Sequence, residues 1–530
     1  MPTLTIDGRQ IESAEGSTVI QAAEKLGIFI PRYCYHPGLS IAGNCRICLV
    51  EVEKNPKLQI ACNTPVTAGM VVHTKSAAAE DGRRAVLEFL LANHPLDCPV
   101  CDQSGECDLQ NFYMNFGLYD PRFREQKVKK KKAVAIGPHV MLDQERCILC
   151  SRCVRFTDEI SKTGEFGIFD RGDTAQVGLY PGERLDNPYS ANVVDICPVG
   201  ALTEQDFRFK ARVWYLSSAP TVCNGCAQGC NVDIHYVLDR PHLNDGARLL
   251  RVKPRYNADV NQWWMCDEGR YGVGWIDKGR LTKVRHQGAD STWEGGLAAI
   301  GAALERVRQN KTGSRLGVIA STQLTNEELF LIREIFQETL GARVTASVPT
   351  RPGYSDDFLI KADKNPNSLG AALLGLSGPG APTTAASIVD EALEGRIEAL
   401  WVFGHDLTTF FDEKKIQELS RKLALFVFSG TNENPTASWS HWALPTAAYL
   451  EKDGTFVNCH GRIQRVGRAF PPLPDSREDW HVLLDIARHL NHPLAWRSPQ
   501  EIFLGLAKTV APFAGLSYEK IGFQGAAVAP

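Results

Sequence analysis

The placement of cysteine constrains this chain more than any other feature of it. There are sixteen; fifteen lie between Cys34 and Cys266, and Cys459 stands alone. They fall into groups: Cys34, Cys45, Cys48 and Cys62; Cys98, Cys101 and Cys107; Cys147, Cys150, Cys153 and Cys197; Cys223, Cys226, Cys230 and Cys266. Such grouping argues for metal ligation in a reducing compartment, not for disulfides or scattered core thiols. The start, Met1-Pro-Thr-Leu-Thr-Ile-Asp-Gly8, lacks the basic and apolar stretches of a secretory leader, and no apolar run is long enough to span a membrane. The expectation is a cytoplasmic protein that reaches a membrane only through partners. A net charge of −3 gives no case for nucleic acid, and 530 residues exceed one core, so two to four domains are expected from length.

The first group can hold two irons bridged by sulfide, the close pair Cys45 and Cys48 chelating from one loop in which Gly43 and Asn44 allow N–H groups to point at sulfur. A zinc ribbon is the competing reading. The second group is one ligand short of a four-iron cubane. His94, at the end of a predicted helix and next to Pro95, is the nearest candidate, and a neutral imidazole should raise the potential over a four-thiolate site. In the third, Cys147, Cys150 and Cys153 wrap one corner of a cubane, and Cys197, followed by Pro198, closes it. In the fourth, Cys223, Cys226, Cys230 and Cys266 suit a 4Fe–4S cluster or a zinc ion.

Along the chain, residues 3–12 read as a hairpin turning at Asp7-Gly8, Ser17-Thr18 cap a short helix through Leu26, and Leu49–Val52 reads as a strand, together a β-grasp. Residues 76–93 read as a helix with an apolar stripe at Val86, Leu87, Leu90 and Leu91. The basic run 124–132 reads as a solvated loop or as a docking patch for an acidic partner. Beyond Cys266, helical stretches alternate with the apolar strands Leu316–Ala320, Leu400–Phe403 and Leu425–Phe428, an α/β pattern with a mostly parallel sheet. Segments 351–383 and 430–440 read as loops.

The order and spacing of these groups resemble the large iron–sulfur subunit of NADH:quinone oxidoreductase, respiratory complex I. The resemblance covers the whole chain. Cys266-Asp-Glu-Gly-Arg-Tyr271, Arg280-Leu281, Leu444-Pro445, Glu451 to Asn458, Gly461-Arg462-Ile-Gln464 and Glu478-Asp-Trp480 resemble a molybdopterin-oxidoreductase-like domain. It departs at Cys459-His460, where the family usually has a small residue and Glu, and its tail is shorter than in many members. The fold implied is multidomain, α/β and α+β: a β-grasp 2Fe–2S ferredoxin-like domain at 1–75, a 4Fe–4S domain with one histidine and three cysteine ligands at 76–120, a ferredoxin-like 4Fe–4S domain at 121–215, a molybdopterin-oxidoreductase-type 4Fe–4S domain at 216–275, and the shortened α/β domain at 276–530.

The resemblance implies one 2Fe–2S and three 4Fe–4S clusters that pass single electrons from NADH and flavin on a partner subunit toward quinone. The implied partners are the flavin and NADH-binding subunit, a small 2Fe–2S subunit, a ferredoxin-like 8Fe subunit and the quinone-site subunits, with the chain peripheral on the cytoplasmic side of the inner membrane. The fourth cluster is thought to lie off the main path in members that carry it. No Gly-rich dinucleotide fingerprint opens a helix after a strand, so neither NADH nor flavin is expected on this chain, and no catalytic residue is assigned. With no cysteine between 267 and 458, molybdopterin is not expected, and Cys459 is expected to be a buried free thiol. The rival functions are a pterin-dependent formate dehydrogenase, a hydrogenase or hydrogenase-associated diaphorase subunit, and a zinc-binding scaffold.

Overall fold

A computed structural model describes residues 1–117, 122–309, 315–346, 353–378 and 383–528. The chain forms two compact units, Met1–Leu216 and Ser217–Pro530.

The first unit begins as the alternating pattern predicts. Strands β1 (Thr3–Ile6) and β2 (Arg9–Glu12) pair antiparallel. They are joined at Asp7 and Gly8, both with positive φ, a conformation that glycine adopts without steric cost. Helix α1 (Val19–Lys25) starts at Thr18, whose amide donates to Gln21 Oε1 at 2.9 Å. With β3 (Leu49–Val52), β4 (Gln59–Ile60) and β5 (Val71–His73) the sheet runs β2-β1-β5-β3-β4, and β5 lies parallel to β1. Helix α2 (Ala77–Asn93) is capped by Ser76, whose Oγ accepts from the Ala79 amide at 3.2 Å. It crosses close to β3 because Gly82 has no side chain: a Cβ there would stand 2.8 Å from Leu58 and 3.0 Å from Leu49.

Helix α3 (Asp108–Phe116) packs on α2. Next come β6 (Val134–Ala135), β7 (Val140–Leu142), α4 (Arg152–Glu159), the hairpin β8 (Phe166–Phe169) and β9 (Gln176–Leu179), α5 (Asn192–Asp195), and β10 (Leu202–Glu204), which pairs with β7.

The second unit opens with the antiparallel sheet of β11 (Ser217–Val222), β12 (Asn231–Tyr236) and β13 (Leu249–Pro254), followed by α6 (Asp267–Tyr271). A seven-stranded sheet then forms from β14 (Arg285–His286), β15 (Ala289–Asp290), β16 (Leu316–Ala320), β17 (Arg343–Thr345), β18 (Ala399–Phe403), β19 (Leu425–Gly430) and β20 (Trp442–Pro445). Its order is β15-β14-β20-β19-β18-β16-β17, parallel from β20 to β17. Successive side chains go to opposite faces: Val318, Trp401 and Val427 enter one core, Ile319, Val402 and Phe428 the other. Burial on both faces is why these strands read as unbroken apolar runs. Strands β21 (Gly454–Val457) and β22 (Arg462–Val466) form a further hairpin.

Three expectations change. Residues 351–383 lie partly outside the described residues, but Ser368–Leu373 within them is helical, as is Pro435–Trp439. The second begins at Asn434, whose Oδ1 accepts from the Ala437 amide at 2.9 Å, with Pro435 in the first turn. Asn and Pro here start a helix rather than a loop. Cys459 is exposed, not buried, because it sits at the turn between β21 and β22.

Candidate metal centres

In the first group the backbone brings the four cysteines side by side in a chain of neighbouring pairs. Cys34 shares hydrogen bonds with Cys45 and Cys62, and Cys48 with Cys62. The Cys34 amide also donates to Cys45 Sγ at 3.4 Å. Donation from Cys45 and then Cys62 holds the Cys34 thiol well below its ordinary value.

In the second group His94 ends α2 as its C-cap and is buried. With Cys98 and Cys107 it walls one cavity; Cys101 interacts electrostatically with both of those cysteines. Burial lowers the His94 pKa to about 4, which keeps the ring neutral and a nitrogen lone pair available. A Cβ on Gly200 would collide with Cys101 Sγ, so that residue must be glycine for the loop to pass.

The third and fourth groups each surround a cavity with all four of their cysteines. Around the third, burial pushes the Cys147 and Cys197 thiols up to about 12. The Leu149 amide donates to Cys147 Sγ at 3.4 Å. Around the fourth, the Gly225 amide donates to Cys223 Sγ at 3.4 Å and the Gly269 amide to Cys266 Sγ at 3.3 Å. A Cβ on Gly269 would come 2.9 Å from Cys223 Sγ, so glycine keeps this wall open. Thiols raised by burial gain most from a bound cation, which turns them into thiolates. Among the described residues no three His, Cys, Asp or Glu side chains converge closely enough to hold one ion. Sulfurs set around a cavity, with amides aimed at them, suit a multi-iron cluster.

The sequence reading missed the side chains that tie these groups together. Tyr33, Cys34, Cys107 and Cys150, from the first three groups, share one apolar core with Leu87 of α2 and Phe112 of α3. Tyr33 is fully buried against Phe112, ring centres 5.1 Å apart, and its hydroxyl has no hydrogen-bond partner among the described residues. A buried phenol is costly without an acceptor, and cluster sulfur is an acceptor. Arg146 reaches Asp97 through Nε at 3.0 Å and Nη2 at 2.7 Å, tying the residue before Cys147 to the residue before Cys98. That fork holds the Asp97 carboxyl far below its usual range.

The basic run turns partly inward. Lys127 Nζ donates to the carbonyls of Leu91 and Ala92 at 2.7 and 2.9 Å, satisfying the end of α2, and Lys132 pairs with Asp97 and Glu145 at 2.9 Å each. Lys129 remains exposed.

Family models match in the order the cysteine groups suggest. A 2Fe–2S iron–sulfur cluster binding domain matches residues 1–77, and the NADH-ubiquinone oxidoreductase-G iron–sulfur binding region 83–122. The ferredoxin-like domain of NADH-quinone oxidoreductase subunit 3 matches 137–203, the molybdopterin oxidoreductase Fe4S4 domain 216–278, and molybdopterin oxidoreductase 365–489. The mitochondrial NADH-ubiquinone oxidoreductase 78 kDa subunit of Candida albicans is 32% identical over 96% of this chain and 85% of that protein. The G subunit of the NADH-quinone oxidoreductase of Rickettsia felis is 29% identical over 97% of this chain and 92% of that protein. A chain of an NAD+-reducing [NiFe]-hydrogenase in the H2-reduced state is 33% identical, covering 40% of this chain and 91% of that one, with a TM-score of 0.35. With relatives matched nearly end to end, this chain belongs to the family of the NADH-quinone oxidoreductase G subunits and their mitochondrial 78 kDa counterparts.

Proposed function

We propose that this chain is an electron relay within an NADH:quinone oxidoreductase, with no reaction centre of its own. The observation that carries the reading is the shared core of residues 1–216, where cysteines of three groups are buried together with Tyr33, Leu87, Leu109 and Phe112. Cys34, Cys45, Cys48 and Cys62 would hold a 2Fe–2S cluster. The 4Fe–4S sets are His94 with Cys98, Cys101 and Cys107; Cys147, Cys150 and Cys153 with Cys197; and Cys223, Cys226 and Cys230 with Cys266. Bound clusters supply one-electron storage at each site.

The residues of the chain do the rest. Apolar packing excludes water and lowers the local dielectric, so that little reorganisation accompanies a change of charge. Amides of Cys34, Leu149, Gly225 and Gly269 donate to ligand sulfurs and moderate their negative charge. The neutral ring of His94 leaves its site with one negative charge fewer than four thiolates would.

The donor in this reading is a flavin and NADH-binding partner subunit, and the acceptor a ferredoxin-like subunit that leads to the quinone-site subunits, with a small 2Fe–2S subunit alongside. In this reading the chain sits peripherally on the cytoplasmic face, held by its partners; among the described residues no helix is long and apolar enough to cross a membrane. The α/β tail would serve structurally, without pterin.

In the assembled complex, Cys150→Ala should abolish quinone reduction by NADH while NADH oxidation by an artificial acceptor at the flavin continues. Quinone reduction at the wild-type rate would remove the third site from the path.

A further inference from the structure

Arg155 lies on α4, immediately after the Cys147–Cys153 loop, and its guanidinium reaches into two ligand loops at once. Its Nη2 donates to the carbonyl oxygen of Cys34 at 2.6 Å and to that of Cys150 at 3.3 Å. Its Nη1 donates to the Ser40 carbonyl, and its Nε to Ser151 Oγ at 3.3 Å. One cation thus touches the backbone of a ligand in the first group and of a ligand in the third.

Two neighbours reinforce the bridge. Arg152, three residues earlier on the same helix face, donates to the carbonyls of Tyr35 at 2.7 Å and Ile196 at 2.9 Å, the residues beside Cys34 and Cys197. From the other side, Asn44 Nδ2, next to Cys45, donates to the Leu149 carbonyl at 3.2 Å. The hydrogen-bond acceptors of both arginines are neutral oxygens, not carboxylates; Asp108 faces Arg152 electrostatically, and the guanidinium of Arg155 keeps its charge where the two ligand loops meet.

We propose that Arg155, backed by Arg152, is a positioning residue that fixes the separation of the Cys34–Cys62 and Cys147–Cys197 sites and raises the midpoint potentials of both. The proposal rests on the cluster reading above. A cation favours the more negative, reduced state of each site, and a rigid fork bound to both loops prevents their distance from drifting. Separation matters because electron transfer between fixed sites falls steeply with distance, while potential sets its direction.

The test uses the whole complex, purified anaerobically, with EPR redox titration and pulsed dipolar measurement between the two reduced sites. Arg155→Met should lower both midpoints together, by about 59 mV each for a tenfold change in a one-electron equilibrium. Arg155→Lys keeps the charge but loses the planar fork, so its midpoints should stay near wild type while the distance distribution broadens. Unmoved midpoints and an unchanged distribution in Arg155→Met, with both signals at wild-type intensity, overturn the proposal and leave the cluster reading standing. If Arg155→Met loses its clusters, the lysine variant decides: a broadened distribution supports the proposal and an unchanged one overturns it. Wild-type protein without either signal would overturn the cluster reading itself, and this proposal with it.

Discussion

In residues 1–216 the buried clusters are laced with sulfur. Cys48 and Cys62 sit in the core of the β-grasp, and Cys34, Cys107 and Cys150 in the core beside it. In residues 217–530 the two cores that flank the seven-stranded sheet contain no cysteine among the described residues; they are built from Leu, Ile, Val, Phe and Trp. Two of its buried charge clusters are closely matched. Arg280 Nη1 and Nη2 bond the two carboxylate oxygens of Glu451 at 2.9 and 2.8 Å. Lys452 Nζ bonds both oxygens of Glu328 at 2.8 Å and Asp479 at 3.0 Å, all buried. The first unit places candidate metal ligands where a core would otherwise close, so in the proposed reading bound metal would be part of its packing. The second closes on itself, and its cysteine group lies outside the two main cores.

The largest effect should separate the units outright. Stripping iron anaerobically with a chelator should remove amide-exchange protection from most of residues 1–216, because apolar burial there is too interrupted to stand alone. Protection of β16, β18 and β19 should persist, with losses near Cys223–Cys230 and Cys266 only. Equal loss in both units would break the comparison.

The next effect probes the second unit alone. Lys452→Met leaves Glu328 and Asp479 buried without their cation, and should cost the tail about 3–5 kcal/mol. Exchange in β16 and β18 measures this, and the EPR signals of the first three sites should not change. A cost within about 0.5 kcal/mol, as for a surface substitution, would mean the triad is not closed as described.

A smaller effect is a dependence on pH. Burial pushes the Glu327 carboxyl up to about 7 from its ordinary 4.5, despite its bonds with Thr455 and Tyr518. Between those values the unfolded chain has released this proton and the folded chain still holds it. The contribution of Glu327 to stability is therefore complete below the lower value and is lost as pH rises through the upper one, by at most about 3 kcal/mol. The difference in tail stability between wild type and Glu327→Gln should fall across that window. A difference constant with pH would place a charged carboxylate there.

Much of this arrangement was legible in the residues. Alternation in Leu4 and Ile6 and the Asp7-Gly8 turn gave the first hairpin, and apolar runs such as Ala399–Phe403 gave the parallel sheet. Grouped cysteines marked the four candidate centres because most of each set is close in sequence, although Cys197 and Cys266 close theirs from farther along the chain. The bridges between centres carry no such repeated residue type: Arg155 meets the Cys34 carbonyl across 121 residues, and Arg146 meets Asp97 across 49. A helix-spaced arginine pair after Cys150 was visible, but nothing in one chain's sequence says which carbonyls it meets. The helix at Pro435 carried a readable signal, Asn followed by Pro, which composition alone turned into a loop. The exposure of Cys459 depended on the hairpin of β21 and β22, which its neighbours did not announce.

Elemental analysis of the protein purified under strictly anaerobic conditions tests the central claim most directly. The account predicts about fourteen iron atoms and about fourteen acid-labile sulfides per chain, with EPR signals of both two-iron and four-iron clusters after reduction. Zinc in place of iron, or iron without labile sulfide, would contradict it.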